Sequence, residues 1–253
     1  MTKGTWPPEL GIAVSIVSHG HGPMVERLVQ SLLGLPEVAQ IIVTRNVPEA
    51  GSPFSSERVM YLENPVPKGF AANHNAAFRH CRHPLFCIMN PDIGLLTNPF
   101  PQLLMAITSA KGAVIAPLVV APDGKPEDSI RHFPSLRSLL AKALCGTDGS
   151  YGSGRGDADF FPDWVAGMFM LFRSADFLSL QGFDEHFHLY YEDVDICART
   201  WKNGMRVVAC PAVAIVHDAR RDSRRNLRYF MWHLASMGRY FAKHWGRLPS
   251  KRL

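Results

Sequence analysis

The chain has 253 residues, of which 47% are hydrophobic, and a net charge of +5. This length allows a sizeable buried core, and the composition excludes a disordered or low-complexity protein. The longest apolar runs are too short to cross a bilayer as helices, and the N-terminal stretch lacks the apolar segment of a signal peptide. The five cysteines are scattered, with no CxxC pair. This pattern favours reduced thiols and a cytoplasmic protein.

The first half of the chain alternates short apolar runs with segments of helical periodicity. The pattern predicts strands at 11–17, 40–44, 58–62, 85–89 and 113–117, and helices at 24–33, 71–81 and 99–109. This alternation favours an α/β fold with a mostly parallel sheet covered by helices. Such sheets bind ligands at the carboxyl ends of their strands. Two polar segments follow strand ends: SHGHG, which is typical of an ordinary turn, and NPDIG, which is a candidate site.

The second half differs in composition. Residues 118–162 are rich in Gly, Pro, Asp and Ser, which predicts loops with one short helix at 135–144. The apolar run WVAGMFMLF predicts a single strand at 164–172, and RVVACPAVAIVH predicts another at 206–217 that ends on a histidine. Between them, residues 192–203 have helical spacing, with Gly204 as the stop signal.

The C-terminal segment, 219–253, has ten Arg or Lys residues and one acid, and so a net charge of +9. Residues 223–244 predict a long amphipathic helix, whose apolar positions are Leu227, Phe230, Met231, Leu234 and Met237. We expect that face to pack on the sheet. Contact with an anionic membrane surface is the functional interpretation of the basic residues. Nucleic-acid binding is the weaker alternative, because no recognised nucleic-acid module accompanies the patch.

The stretch FHLYYEDVDIC places three carboxylates within four positions. On a helix, Glu192 and Asp195 share a stripe with Arg199, where negative charge in the first turn favours the helix dipole and Asp195 can pair with Arg199. Asp193 lies off that stripe, at the border of the apolar face, and has no cation placed nearby. The spacing leaves a structural and a functional role for Asp193 equally open.

Asp92, in the NPDIG turn, follows an apolar strand, and His217 ends one. Taken singly, an aspartate in a turn and a histidine at a strand end are more often structural. Together they offer one oxygen and one nitrogen ligand for Mn²⁺ or Mg²⁺, with waters and a ligand's phosphates completing the coordination shell.

The order of several motifs resembles a known family. They are AVSIVSHG, NPVPKGFAANHNAAF, FCIMNPDIGL, RHFPS, DWVAGMFMLFR, GFDEHFHLYYEDVDICAR and AIVHD, and they cover most of residues 11–218. In this order they resemble the inverting glycosyltransferases of family 2, which have the GT-A fold, and most of all the rhamnosyltransferase-like branch that builds bacterial surface polysaccharides. The resemblance implies a GT-A-like domain at 1–218, with a donor half at about 11–117 and an acceptor half at about 118–218, followed by the helical extension 219–253.

The resemblance also implies roles for single positions. Asp92 would bind the divalent metal on the donor diphosphate, with His217 as a further metal ligand, and Asp193, beside Glu192, would be the catalytic base. The donor side would include Ser18, Arg45, Gly69, Phe70, Asn75, Asn90 and Asp92. The acceptor side would include Trp164, Gly167 and Tyr191. A base is needed to take the proton of the acceptor hydroxyl, and a metal stabilises the leaving diphosphate.

One position departs from the family pattern. Arg45 stands where relatives usually have an aspartate that holds the donor nucleoside. An arginine cannot accept a hydrogen bond from a base or ribose, although it can contact a phosphate. The nucleotide of the donor therefore stays open.

We predict an inverting, metal-dependent transferase that moves a sugar, with rhamnose from dTDP-rhamnose as the first candidate, to a lipid-linked or polysaccharide acceptor at the inner face of the cell membrane. The alternative from another class is a non-catalytic relative that binds a nucleotide-sugar or a glycan. Arg45 leaves it open, as does Asn90, which stands where the resembled family has the first carboxylate of its metal-binding motif. A nucleotidyltransferase is disfavoured, because SHGHGP has no cation for a phosphate loop.

Overall fold

The structure is a computed structural model that describes residues 11–49, 54–135, 138, 151, 156, 158–218 and 227–249. The strands are β1 Ile12–Ser18, β2 Val38–Arg45, β3 Val59–Glu63, β4 Leu85–Met89, β5 Ile93–Gly94, β6 Gly112–Val120, β7 Ile130–Arg131, β8 Trp164–Val165, β9 Phe169–Arg173 and β10 Arg206–His217. The helices are α1 Gly22–Leu33, α2 Phe70–Phe78, α3 Phe100–Ser109, α4 Ser174–Ser179, α5 Glu192–Lys202 and α6 Leu227–His244.

A single eight-stranded sheet, in the order β3-β2-β1-β4-β9-β6-β10-β5, organises the molecule. Strands β1 to β4 pair in parallel, and β6 pairs in parallel with β10, whereas β9 is antiparallel to both β4 and β6. Six of the eight strands therefore run in one direction. The predicted mostly parallel α/β sheet is confirmed. A small two-stranded sheet, β7-β8, lies apart from it.

The central strands are buried on both faces, as expected for a sheet covered by helices. In β1, Ile12, Val14 and Ile16 face a core that includes residues of α1 and α3. The alternate residue Ala13 faces a second core, which includes residues of α2, α4 and α5. The continuous apolar runs in the sequence follow from this double burial.

The predicted single strand at 164–172 is wrong. The chain forms β8 at its start and β9 at its end, and residues 166–168 lie between them outside either strand. The break follows from two contacts: the Gly167 N–H donates to a carboxylate of α5, and the Met168 carbonyl accepts from Asn90 N–H. β9 then inserts antiparallel between β4 and β6. The predicted helix at 135–144 falls largely outside the described residues.

The predicted packing of the C-terminal helix is wrong for four of its five apolar positions: Met237 packs against the core, whereas the other four are exposed. The buried side chains of α6 are Ser236, Tyr240 and His244. The expected core residues Leu227 and Phe230 are instead 74% and 57% exposed. The helix turns its polar and aromatic stripe inward because buried Asp195, on α5, accepts from His244. No helix in the described ranges is both long and apolar enough to cross a membrane.

Candidate active site

The parallel strands bring the predicted donor residues to one edge of the sheet. Ser18 ends β1 and Arg45 ends β2, and the two are paired in register. Asn90 and Asp92 follow β4, the parallel neighbour of β1 on its other side. His217 ends β10, which runs in the same direction as these strands. The sheet therefore collects polar groups at its carboxyl edge, where α/β sheets place their ligands.

Asp92 and His217 are in direct contact at this edge. Asp92 Oδ2 lies 3.3 Å from His217 Nε2, and Glu127 Oε2 lies 2.6 Å from His217 Nδ1. Although burial alone would lower it, the two carboxylates raise the pKa of His217. Sequence reasoning missed Glu127, which is 90 residues away in the chain and lies in a loop-like segment.

The donor atoms at Asp92 and His217 fit a divalent cation. Asp92 Oδ1 is buried, and in the described part of the chain it has no hydrogen-bond partner. A buried carboxylate oxygen without a donor is costly unless a cation or ligand satisfies it. Within the described residues, no cluster of three or more acidic, His or Cys side chains is arranged to hold a metal. The two protein ligands would therefore need oxygens from a bound ligand or water, which is usual for Mg²⁺.

Asp193 lies at the start of α5 and is held by two backbone donors. The Gly167 N–H donates to Oδ2 at 3.0 Å, and the Val194 N–H donates to Oδ1 at 2.8 Å. Burial raises the pKa of Asp193, although these hydrogen bonds and the charge of Arg131 oppose the rise. The carboxylate is thus fixed in orientation and has a raised proton affinity, as a general base requires.

Glu192 has different surroundings from its neighbour. Its side chain is buried, and Oε2 has no hydrogen-bond partner among the residues described. Burial and then the charge of Asp193 raise the pKa of Glu192 well above its usual range. Because two adjacent buried carboxylates cannot both be charged cheaply, we assign the proton to Glu192 and the charge to Asp193, which has the backbone donors.

A short chain of contacts connects the two carboxylate sites. The Asn90 N–H donates to the Met168 carbonyl at 2.9 Å, and Asn90 precedes Asp92 by two residues. Met168 follows Gly167, which holds Asp193. The irregular 166–168 segment therefore binds the end of β4 on one side and the N-terminus of α5 on the other. The Asp92 turn and the Asp193 carboxylate are therefore linked through the backbone of Asn90, Met168 and Gly167.

The predicted donor residues Gly69, Phe70 and Asn75 lie where the predicted donor half contacts the predicted acceptor half. Gly69 is in close contact with the acceptor half, because an added Cβ would lie 2.3 Å from the His188 carbonyl oxygen. The Phe70 N–H donates to that same oxygen at 3.0 Å. Asn75 binds both the N–H and the carbonyl of Phe183, at 2.9 Å each. In this structure Asn75 bridges the halves, and its amide is already engaged.

Arg45 is engaged at the end of β2. Its guanidinium lies 3.3 Å from Glu63 and 4.9 Å from the centre of the Tyr61 ring. The next residue, Asn46, is buried and accepts from the Lys68 N–H at 2.8 Å while donating to the Lys68 carbonyl at 2.9 Å. This amide thereby anchors the segment before α2.

Two further amides, Asn64 and Asn73, extend the hydrogen-bond network around Asn46. The Asn64 amide donates to Asn46 at 2.9 Å and to Asn73 at 2.6 Å. Sequence reasoning missed all three, although Asn46 follows β2 directly, which is the signal that pointed to the other strand ends.

Of the three predicted acceptor residues, Gly167 bonds directly to Asp193. Trp164 is buried, with its indole N–H donating to the His132 carbonyl at 2.9 Å. Gly167 allows a close approach, since an added Cβ would lie 3.1 Å from the Phe70 ring. Tyr191 is buried and stacks at 5.3 Å on Tyr240 of α6, so its ring faces the C-terminal helix.

The turn before α5 is strained. Tyr190 and Tyr191 both have left-handed backbone conformations, with φ of 71° and 67°. Such conformations are costly for bulky residues and are tolerated where the surroundings fix them, often at functional sites. Here the surroundings include α6, since Ser236 Oγ donates to the Leu189 carbonyl at 2.8 Å. The C-terminal helix therefore supports the turn that delivers Glu192 and Asp193.

Asp195 joins α5 to α6. Its fully buried carboxylate lies 2.7 Å from Arg199 Nε, 2.7 Å from Lys243 Nζ and 2.8 Å from His244 Nε2. The predicted Asp195–Arg199 pair is confirmed, and two partners from the tail were not foreseen. Although burial alone would raise it, the His244 hydrogen bond, the charge of Arg199 and the Lys243 hydrogen bond hold the pKa of Asp195 below its usual range.

Comparisons with known proteins agree with this architecture. Residues 159–221, which include α5 and His217, match a family model described as the N-terminal domain of galactosyltransferase. The chain is 28% identical over 253 residues to the rhamnosyltransferase WbbL of Escherichia coli K12, covering 92% of this chain and 93% of that protein. It is 24% identical over 240 residues to an N-acetylglucosaminyl-diphospho-decaprenol L-rhamnosyltransferase of Mycobacterium tuberculosis, covering 85% of this chain and 78% of that protein.

Among solved structures, the chain resembles GalNAc-T7 with UDP, GalNAc and Mn²⁺, with a TM-score of 0.64 at 14% identity. The match covers 84% of this chain and 44% of that enzyme, so the chain spans less than half of it. At this identity the likeness shows the fold. The predicted GT-A fold is confirmed.

Proposed function

We propose, from the premise that the chain is a glycosyltransferase with the GT-A fold, that it moves a sugar from a nucleotide-sugar to a lipid-linked or polysaccharide acceptor in surface glycan synthesis, with inversion at the anomeric carbon. Rhamnose is the first candidate, because two relatives that match along most of their length are rhamnosyltransferases. One of them acts on a diphospho-decaprenol acceptor, which favours a lipid-linked acceptor here too.

The link between the Asp92 turn and Asp193, through Asn90, Met168 and Gly167, is the observation that carries this proposal. Inverting transfer is a single displacement, so the leaving diphosphate and the attacking hydroxyl must be held on opposite sides of one carbon. This chain has a candidate carboxylate for the phosphate side and a candidate base, joined by one hydrogen-bonded stretch of backbone, and so has the groups for that geometry. A binding-only relative has no need for the second carboxylate.

Asp193 would accept the proton of the acceptor hydroxyl at Oδ1 or Oδ2, while the Gly167 and Val194 N–H groups hold it in place. Asp92 and His217 would hold Mn²⁺ or Mg²⁺, which would neutralise charge developing on the leaving diphosphate. Gly69 and Phe70, at the start of α2, would line the donor side, and Trp164 and Gly167 the acceptor side. Arg45 would face a phosphate only if it exchanged its Glu63 partner.

A lipid-linked acceptor implies a protein that works at the inner face of the cell membrane. The basic segment 219–253 supports contact with anionic lipids there, since its charge of +9 would be attracted to them. The same location agrees with the cysteines, because the four in the described part of the chain are free thiols.

A thermal-shift panel of nucleotide-sugars, with and without Mn²⁺, tests the proposal. Ligand binding to the folded state raises Tm by mass action. We expect one donor, with dTDP-rhamnose tested first, to raise Tm only with Mn²⁺ in the wild type, and this shift to disappear in Asp92→Ala. Asp123→Ala is the matched control, because Asp123 has a side chain that is 54% exposed.

A Mn²⁺-dependent shift without any transfer to a lipid-linked acceptor would favour the binding-only alternative. The absence of a shift with every donor, in a protein that melts normally, would contradict the assignment of Asp92.

A further inference from the structure

One side of α6 is apolar and exposed. We define its outer apolar face as Leu227, Phe230, Met231 and Leu234, whose residues are 74%, 57%, 56% and 38% exposed. Their three- and four-residue spacing places them on one stripe of the helix. Trp245, directly after the helix, is 65% exposed. Contiguous large apolar side chains on a protein surface indicate a contact site.

The inner side of α6 prevents this face from turning into the core. Ser236 is bonded to the Leu189 carbonyl, and His244 to the buried Asp195 carboxylate. Tyr240, between them, is fully buried and stacks on Tyr191. Rotating the helix to bury Phe230 would break these buried polar contacts, each costly to leave unmade. The outer apolar face is therefore a fixed feature of the fold.

Charge distinguishes between the surfaces that could cover this face. The described part of the tail, residues 227–249, has four Arg or Lys residues and no acid, and the whole segment 219–253 carries +9. A second copy of the chain would bring two such segments together, and charges in contact lie within the Debye length of about 8 Å at physiological salt. An anionic surface would be attracted instead. The combination of apolar side chains and basic flanks is the composition of helices that lie in a membrane interface.

We propose that the outer apolar face of α6 inserts into an anionic lipid bilayer, with the helix lying in the plane of the membrane. This deepens the proposed function and rests on it for the nature of the acceptor. The inner side of the same helix supports the strained turn of Tyr190 and Tyr191, which precedes Asp193. Membrane contact would therefore bring the candidate base to the surface at which a lipid-linked hydroxyl emerges.

Vesicle co-sedimentation of the full chain tests this proposal without a donor or an acceptor. The probes are phosphatidylcholine vesicles with and without 30% phosphatidylglycerol, at low and at physiological salt. We expect binding to the anionic vesicles, weaker at higher salt, and little binding to the neutral ones. The double variant Phe230→Ser/Met231→Ser should bind at least about tenfold more weakly, because burying two such side chains contributes more than that factor.

Met105→Ser is the matched control, since Met105 lies on α3 and is 62% exposed. It should bind vesicles as the wild type does, and the Tm of all variants should match, because every substituted side chain is exposed. Equal vesicle binding by the double variant and the wild type would overturn the proposal. So would a dimer in sedimentation velocity that the double variant abolishes while vesicles leave the wild type unbound.

The vesicle result is independent of catalysis. Binding without any donor-dependent Tm shift would uphold the membrane face and count against the transferase site. A donor-dependent Tm shift without vesicle binding would support the transferase site and overturn the membrane-inserting face.

Discussion

Asp193 and Glu192 are adjacent carboxylates whose surroundings predict opposite roles. Asp193 has two backbone donors, and Glu192 has a buried oxygen without a partner in the described part of the molecule. A charged Asp193 can accept a proton, whereas a protonated Glu192 cannot. The variants Asp193→Asn and Glu192→Gln distinguish these two roles, because the amide in each variant resembles the neutral, protonated acid.

We predict that Asp193→Asn lowers kcat by about 100-fold or more, since general-base catalysis contributes on that order. The donor-induced Tm shift should remain. Glu192→Gln should leave kcat within about threefold of the wild type, because glutamine resembles the protonated acid already present. Steady-state kinetics of both variants measures the difference. A large loss in Glu192→Gln together with an active Asp193→Asn would reverse the assignment.

The pH profile gives a second prediction at this scale. Because burial raises the pKa of Asp193, it remains protonated to a higher pH than an exposed aspartate. The value of kcat/KM should therefore fall as pH decreases, with a midpoint above the ~3.9 of an exposed aspartate. Measuring kcat/KM between pH 4 and 9 tests this. A flat profile down to about pH 4 would contradict a raised pKa at the base.

Glu127 shows what sequence reading could not supply at the residue scale. Asp92 and His217 were predictable because Asp92 lies in the turn after an apolar strand and His217 ends one, which places both at the carboxyl edge of the sheet. Glu127 lies in a Gly- and Pro-rich stretch with no periodicity, and its contact with His217 depends on the path of that loop. Asn75 has a second contact of this kind, since its amide bonds to the backbone of Phe183, 108 residues further on, which no local pattern indicates.

At the scale of elements, α5 and α6 depend on each other through Asp195. In sequence, Asp195 has one local partner, Arg199, and looks like a surface residue in a first helical turn. Lys243 and His244 are almost 50 residues further on, so no local pattern predicts that the carboxylate is fully buried. The same separation in sequence explains why the pattern predicts that the apolar stripe of α6 packs in the core. The stripe exists, but the hydrogen bond from His244 to Asp195 turns it outward, and no local pattern indicates that bond.

We predict that Asp195→Asn destabilises the protein by about 3 kcal/mol at neutral pH, because it removes the fully buried carboxylate that pairs with Arg199 and Lys243 and accepts from His244. This corresponds to a decrease in Tm of roughly 6–12 °C. Differential scanning calorimetry measures it, and Asp123→Asn is the control, since the exposed Asp123–Lys125 pair should contribute at most about 1 kcal/mol.

The difference in Tm between the wild type and Asp195→Asn should decrease at acid pH. The pKa of Asp195 is lowered in the folded state, so its stabilising effect is fully present above the unfolded pKa of about 3.9 and is lost as pH falls towards the lower folded value. The gap in Tm between the wild type and Asp195→Asn should therefore narrow below about pH 4. A gap that stays constant into the acid range would show that Asp195 acts by shape alone.

At the scale of the whole molecule, the sheet joins both halves of the chain. The strands before residue 118, apart from the two-residue β5, were predictable from apolar runs bounded by polar turns. The position of β9 was not, because the insertion of a strand from the second half between β4 and β6 depends on contacts between residues far apart in sequence. Phe172 shows the result: it pairs with Phe86 on one side and with Val114 on the other.

This topology predicts that the donor and acceptor halves unfold together. Removing β9 would leave β4 and β6 unpaired along the middle of the sheet, so neither half has a complete core of its own. Thermal unfolding should therefore give one transition, with the same midpoint by far-UV circular dichroism and by tryptophan fluorescence.

Phe172→Ala, at a fully buried position, should lower the free energy of unfolding by about 3–5 kcal/mol while keeping a single transition. Leu96→Ala, at a site 65% exposed, should change it by less than about 0.5 kcal/mol. Two separated transitions in Phe172→Ala would instead mean that each half is a folding unit, and that the sheet only docks them.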